Sequence, residues 1–285
     1  MRAARQSTVS LYNNNAVDVA LTQAQKARAL LGTGPVVSPE AAYLRADAIR
    51  AEGDTFLWTE DYARARGLHL ETDRFIAGLP VIMQRDAHMM SLTAGNLRLL
   101  GEAHHKLKQP VEARAVLDRA VAINQAVLAT QPDDPLFRRR VVVSLRYRAI
   151  VHHTNERDEL ARESIEVARV ETLKLRDRDP ADVGALQLFA VVGEVHAQIL
   201  SDLGRHSEAY RIGDEVRATY KIMIARAGNA PGHMRSFAMA MRSDASVHYN
   251  GGDYAGACRV WSEVMTVVDG LERRVALTDF DRNKA

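Results

Sequence analysis

Several protein classes are excluded by what this sequence lacks. It holds one cysteine, Cys258, so it can form neither an internal disulfide framework nor a cysteine-rich zinc site. Aromatic residues make up 6% of the 285, with 17 Gly and only 8 Pro, too few turn formers and aromatics for a strongly β-built architecture. No run of about 18 apolar residues occurs, which excludes a membrane span. No charged stretch followed by an apolar one opens the chain, so no secretory signal is visible and a cytoplasmic protein is expected. Charge of one sign is scarce as well: the net charge is +2 and the pI near 8.7, too mild to imply nucleic acid. What remains is abundant alanine (43) and arginine (32) in a chain 47% hydrophobic and 26% charged, the composition of a folded globular protein.

The informative feature is a repeat. Asp61-Tyr62-Ala63-Arg64-Ala65 resembles Asp253-Tyr254-Ala255-Gly256-Ala257. Steps of 48 residues between them land on Ala65, Ala113, Ala161, Ala209 and Ala257. Twelve residues before each lie Gly53, Gly101, Ala149, Ala197 and Ala245, all small. The linkers recur too: Pro132 and Pro180 open the polar stretches Pro132-Asp133-Asp134 and Pro180-Ala181-Asp182, and Pro231 follows. Proline stops one helix and aspartate caps the next, while Asn155, Gly204 and Gly251-Gly252 mark shorter turns within repeats.

The pattern predicts an all-α chain of about eleven helices, near 15–31, 39–58, 60–78, 81–108, 110–130, 134–154, 156–177, 182–203, 206–227, 231–250 and 253–273. They group as a half repeat at 15–31 and five repeats near 39–78, 81–130, 134–177, 182–227 and 231–273. A polar segment 1–14 and a tail 274–285 flank them. The two small columns let paired helices approach closely. The next bulky column is Leu117, Ile165 and Trp261, with His69 and Gly213 as departures, and Leu79, Val127, Leu175, Met223 and Leu271 form an apolar column expected in the core. One such pair cannot bury its faces; stacking does it.

These residues resemble the tetratricopeptide repeat (TPR) family. The signature reads Leu97, Leu100-Gly101, His104, Ala113, Leu117, Ala120 in the second full repeat. The third gives Leu145, Ala149, His152, Ala161, Ile165, Ala168, and the fifth gives Met241, Ala245, His248, Ala257, Trp261, Val264. The resemblance spans residues 15–273. The period of 48 exceeds the usual 34, as in a long-period bacterial variant. It implies a right-handed α-solenoid whose concave groove holds a protein or peptide. Arrays of this kind also resemble C-terminal, ligand-sensing modules of bacterial signalling proteins, behind a kinase or transcription regulator, which is the alternative reading. Residues 15–31 read as a second helix without its first. Val17, Leu21 and Leu30 should then meet helix 39–58, leaving an apolar edge open to self-association.

No catalytic motif is present. Gly32-Thr33-Gly34-Pro35 lacks the lysine and helix start of a phosphate loop, and neither a Gly-x-Ser-x-Gly elbow nor a His-Glu-x-x-His pair occurs. Cys258 reads as a small buried residue beside the Ala257 column. His104, His152 and His248 share a column that in the TPR pattern packs between paired helices. Equivalent residues on stacked repeats lie on the order of 10–20 Å apart, too far for one metal ion. No enzyme, cofactor or metal is expected.

One polar column stands out: Arg50, Arg98, Arg146 and Arg242 share a phase, interrupted by Glu194. In TPR arrays that phase commonly lines the groove, together with positions seven further on, here His105, His153 and Tyr249. The guanidinium fork pairs with carboxylates and phosphates, so an acidic protein or peptide partner is expected. Local pairing, such as Arg98 with Glu102 or Arg50 with Asp54, is the competing explanation. Nucleic acid is disfavoured, because only Trp58, Tyr147 and Tyr249 supply stacking rings on that face.

Overall fold

The computed structural model describes residues 17–36, 38–226 and 231–273; the polar segment 1–14 and the tail 274–285 lie outside the described residues. The chain divides into two compact units, Met1–Val151 and His152–Ala285. Among the described residues every element is a helix, twelve in all.

Unit 1 holds α1 (Val17–Leu31), α2 (Pro39–Trp58), α3 (Tyr62–Ala77), the single turn α4 (Val81–Gln84), α5 (Ala87–Lys106), α6 (Pro110–Thr130) and α7 (Pro135–His153), whose last turn contains the boundary. Unit 2 holds α8 (Asp158–Arg178), α9 (Val183–Asp202), α10 (His206–Arg226), α11 (Pro231–Asn250) and α12 (Tyr254–Glu272). The expected count of eleven is corrected to twelve. The stretch anticipated as one helix over 81–108 is cut after Gln84, because the Asp86 carboxylate accepts from the His88 and Met89 N–H groups at 2.9 and 3.0 Å and starts α5 afresh.

Helix starts recur with the sequence period. First helices of the pairs begin at 39, 87, 135, 183 and 231, second helices at 62, 110, 158, 206 and 254. Asp134 and Asp182 cap the helices after the proline linkers, accepting from Leu136 N (2.7 Å) and Ala185 N (3.0 Å). The turn inside each pair places one residue at positive φ, again 48 apart: Glu60 (62°), Lys108 (59°), Glu156 (56°), Gly204 (75°) and Gly252 (81°). Three of these carry a Cβ in a region that costs an L-residue roughly 1–2 kcal/mol. Glu156→Gly is therefore expected to stabilise unit 2 by about 0.5–1 kcal/mol, after the extra chain entropy of glycine. A rise in the urea midpoint checks it, and Gly204→Ala should move it the other way.

The five alanines of the repeat column are all buried, from 0% exposed at Ala65 to 5% at Ala257. Close approach explains the small column: a Cβ on Gly101 would lie 2.6 Å from Leu117 Cγ, and one on Gly53 2.9 Å from His69 Cε1. His69, out of place among bulky apolar residues in sequence, thus fills the same slot as Leu117 one repeat on. Leu79, Val127, Leu175, Met223 and Leu271 are all buried. In unit 1, α2 packs on α1, α3 and α5; in unit 2, α9 packs on α8, α10 and α11. Being covered on several sides, α9 is mostly apolar, with Gln187, Glu194, Gln198 and Asp202 on its uncovered side. It alone among the described helices is long and apolar enough to cross a membrane, and it carries eleven buried residues in the core of unit 2.

The opening helix buries a different face from the one anticipated. Ala20, Ala24 and Ala27 are its buried residues, whereas Leu30 is 76% exposed and Val17 and Leu21 are half-buried. An alanine stripe lets α1 lie close on α2, and Arg28 bridges Glu52 at 2.8 Å and Glu71 at 2.6 Å. Val19 and Leu30 are left outside.

Candidate functional site: an arginine-lined cavity

Helices α2, α5 and α7 each carry arginine toward one place in unit 1. A cavity of about 210 Å³ is lined by Arg50 from α2, Arg98 from α5, Arg139, Arg140 and Ser144 from α7, and Asn124 from α6. Gly95 and Val143 complete the wall, so no carboxylate belongs to it. A Cβ at position 95 would stand in ordinary contact with Arg140 Nη1, at 3.5 Å.

The arginines are held by their surroundings. Arg50 donates to Asp47 Oδ1 at 2.7 Å, one turn away. Arg98 donates to Glu102 at 3.1 Å and lies over the Tyr147 ring, 4.7 Å from its centroid. Arg146 lies over the same ring: its guanidinium is 5.4 Å from the Tyr147 centroid, and its Nε is buried without a hydrogen-bond partner among the described residues. So Arg98 belongs to the cavity and also shares an aromatic ring with Arg146, which does not line the cavity. Asn124 Nδ2 donates to Arg140 O (3.2 Å) and Ser144 Oγ (2.9 Å), fixing α7 on α6.

Burial holds Arg140 below the ordinary guanidinium value, and Arg50 and Arg98 push the same way, against Tyr43 and Asp47. His69 feels the same two arginines.

The remaining groove candidates stand apart from the cavity. His105, at the end of α5, is half-buried, its basicity lowered by burial and by Lys106 and Lys108. In unit 2, His153 is clasped between Asp158 (Nδ1, 2.8 Å) and Asp202 (Nε2, 3.1 Å). Arg242 is exposed on α11. Tyr249 meets Tyr254 edge-on, with centroids 5.4 Å apart, and with Trp261 lines a separate apolar cleft of about 270 Å³. Cys258 borders that cleft and is exposed, a correction to the expectation that it is buried. His104 and His248 do pack between paired helices, each bonding the residue five further on, Gln109 at 2.7 Å and Asp253 at 2.8 Å. No three His, Cys, Asp or Glu side chains converge as a metal site would require, among the described residues.

Sequence reasoning passed over Arg139 and Arg140. A signal was present: at steps of 48 the phase of Arg140 is held by Leu44, Leu92, Leu188 and Ser236. A guanidinium in a column given mainly to leucine is costly to place unless its charge has a use.

No protein-family model matches this chain, and no curated protein matches it in sequence. Solved structures do match in fold. BtubC (BKLC) from P. vanneervenii superposes with a TM-score of 0.62 at 13% identity, covering 98% of this chain and 95% of that one. A putative kinesin light chain from Podosopora anserina, described as nearly identical TPR-like repeats, gives 0.60 at 17% identity, covering 84% and 100%. The apo form of RapI gives 0.58 at 11% identity, covering 95% and 83%. The fold of this chain is therefore that of a TPR-like helical repeat.

Proposed function

We propose that this chain is a non-catalytic interaction scaffold, and that unit 1 captures an acidic peptide segment of a partner protein. The convergence of Arg50, Arg98, Arg139 and Arg140 on one cavity without a carboxylate in its wall carries this reading. A TPR-like fold supports a protein partner in general terms: it presents side chains from successive first helices along a continuous surface within a unit. Arg50–Asp47 and Arg98–Glu102 are local i,i+3 and i,i+4 pairs, whose carboxylates a bound acidic group would displace or share the guanidinium with.

The test is titration of a fluorescein-labelled, glutamate-rich peptide followed by anisotropy. Charge-assisted hydrogen bonds contribute roughly 1.5–3 kcal/mol each. Replacing Arg50 and Arg98 together with Ala should thus weaken binding by about a hundredfold or more, with the helical circular dichroism unchanged. Added salt should weaken binding of the unaltered protein. Unchanged affinity in the folded double variant would remove the acidic-segment reading.

A further inference from the structure

We propose that the cavity of unit 1 is a phosphoryl site: it takes a phosphate monoester borne by a serine or threonine of the partner peptide. The inference rests on the peptide-binding reading above and narrows it from acidic to phosphorylated.

The argument begins with donor geometry. A carboxylate is planar and has two oxygens, and a single guanidinium fork satisfies it bidentately. Here guanidinium groups reach one cavity from three helices, α2, α5 and α7. Donors approaching from several directions match the three non-ester oxygens of a tetrahedral group better than the two of a planar one. The wall offers further donors. Among the described residues, Arg140 Nε is buried without a hydrogen-bond partner, and Arg140 Nη1 makes a long contact, 3.4 Å, to Ser91 O. Ser144, 1% exposed, accepts from Asn124 Nδ2, which leaves the hydroxyl hydrogen of Ser144 to donate.

Charge points the same way. A phosphate monoester carries about −1.5 to −2 near pH 7, against −1 for a carboxylate. Four guanidinium groups against the two carboxylates paired with them from outside the wall, Asp47 and Glu102, leave an excess of positive charge that favours the more highly charged ligand. Burial is the main reason that Arg140 and His69 carry their protons less readily than in water, and Arg50 and Arg98 add to it in each case. About 210 Å³ accommodates a phosphoryl group and its ester oxygen. The lining has no aromatic side chain on which a nucleobase would stack.

Three matched peptides of one Glu-rich sequence decide it, with phosphoserine, Glu or Ser at a central position. Each is titrated into the full chain, with inorganic phosphate as a fourth ligand. The phosphoserine peptide should bind at least about tenfold more tightly than the Glu peptide. That advantage should vanish in Arg140→Gln and fall in Arg139→Gln, both verified as folded by circular dichroism. Inorganic phosphate should displace the phosphopeptide while binding more weakly itself. Equal affinity for the Glu and phosphoserine peptides overturns the phosphoryl site and leaves the acidic-segment reading intact. Absence of binding by all three peptides overturns both. A phosphoserine advantage that survives in both folded variants places recognition elsewhere and overturns the site. Inorganic phosphate binding as tightly as the phosphopeptide overturns the peptide-borne source.

Discussion

Unit 1 is expected to lose about 3 kcal/mol of stability between pH 7 and pH 4, chiefly through one imidazole. His69 is fully buried on α3. Its Nδ1 meets Asn96 Oδ1 at 2.9 Å, and Asn96 Nδ2 donates back to His69 O at 2.9 Å. That return bond fixes which way the amide faces, so Nδ1 carries the hydrogen. Nε2 is buried with no partner, and a second proton there would have nothing to donate to. Burial is the main reason its basicity falls, to a pKa of about 3, with Arg50 and Arg98 adding to the effect and Asn96 opposing it.

In the unfolded chain the same imidazole protonates near 6.5. Between about 6.5 and 3 the unfolded state therefore binds the proton and the folded state does not. Stability is fully present above pH 6.5 and drains away as the pH falls toward 3, at 1.36 kcal/mol per unit. At pH 4 that amounts to about 3 kcal/mol. His196 in unit 2 follows the same sign, lowered to about 4 by burial and by Arg169 and Arg205, with neither ring nitrogen partnered. Urea unfolding at pH 7, 5.5 and 4 measures the loss. The chain has two tryptophans, Trp58 and Trp261, so Trp261→Phe leaves a reporter in unit 1 alone. His69→Leu should flatten the pH dependence of that reporter, since leucine fills the equivalent slot at Leu117. The unpaired Asn96 will lower absolute stability, so the slope is the quantity to read. A slope unaltered by the substitution would refute the assignment.

The repeat was legible in sequence because its physics is local. An alanine at 0% exposure cannot be enlarged without parting two helices, so Ala65, Ala113, Ala161 and Ala209 are held by packing. Proline and aspartate act within a turn of where they stand, which is why α7 and α9 begin after Pro132-Asp133-Asp134 and Pro180-Ala181-Asp182. The break at Asp86 escaped notice because no proline precedes it, and the sequence around it, Met83-Gln84-Arg85-Asp86-Ala87, is composed mainly of good helix formers. The turns at Glu60, Lys108 and Glu156 were hidden likewise: connectivity forces positive φ there on residues with no preference for it.

The arginine site was legible only in part, for a reason of geometry. A fixed period selects residues at one helical phase, and so finds Arg50 and Arg98. The third helix reaches the same cavity with Arg139 and Arg140, seven and six positions before the anticipated Arg146 and so about two turns earlier along α7. Side-chain length makes this possible. A guanidinium stands several bonds from its Cα, so one cavity can collect arginines from positions that a column analysis keeps apart. Convergence depends on how far successive helices rotate, and a sequence period does not encode that rotation.

The other departure from the bulky column, Gly213, leads to the second large effect: Gly213→Ala should cost unit 2 about 2–4 kcal/mol. A Cβ at position 213 of α10 would lie 2.9 Å from Asp244 Cγ on α11, and nearer still to Oδ1. Asp244 is 4% exposed, and Arg217 Nη1 holds its Oδ2 at 3.0 Å. The glycine is there to admit a buried carboxylate. Burial raises the Asp244 carboxyl above the ordinary range, with Arg217 and His248 pulling it back, so the group is already costly to keep charged. A methyl against it must either part α10 from α11, at roughly 1–3 kcal/mol for over-packing, or turn the carboxylate from Arg217. Separating a buried charge from its partner costs about 3–5 kcal/mol. The gain in helix propensity, about 1 kcal/mol, offsets part of this. Gly67→Ala provides the control: that helical glycine has nothing within 4 Å of the added Cβ, so the substitution should stabilise unit 1 by up to about 1 kcal/mol. Asp244→Ser should relieve the clash, and the cycle formed by Gly213→Ala, Asp244→Ser and the pair should show a coupling of about 1–3 kcal/mol. If Gly213→Ala proves as benign as Gly67→Ala in thermal and urea unfolding, the glycine is not what makes room for Asp244.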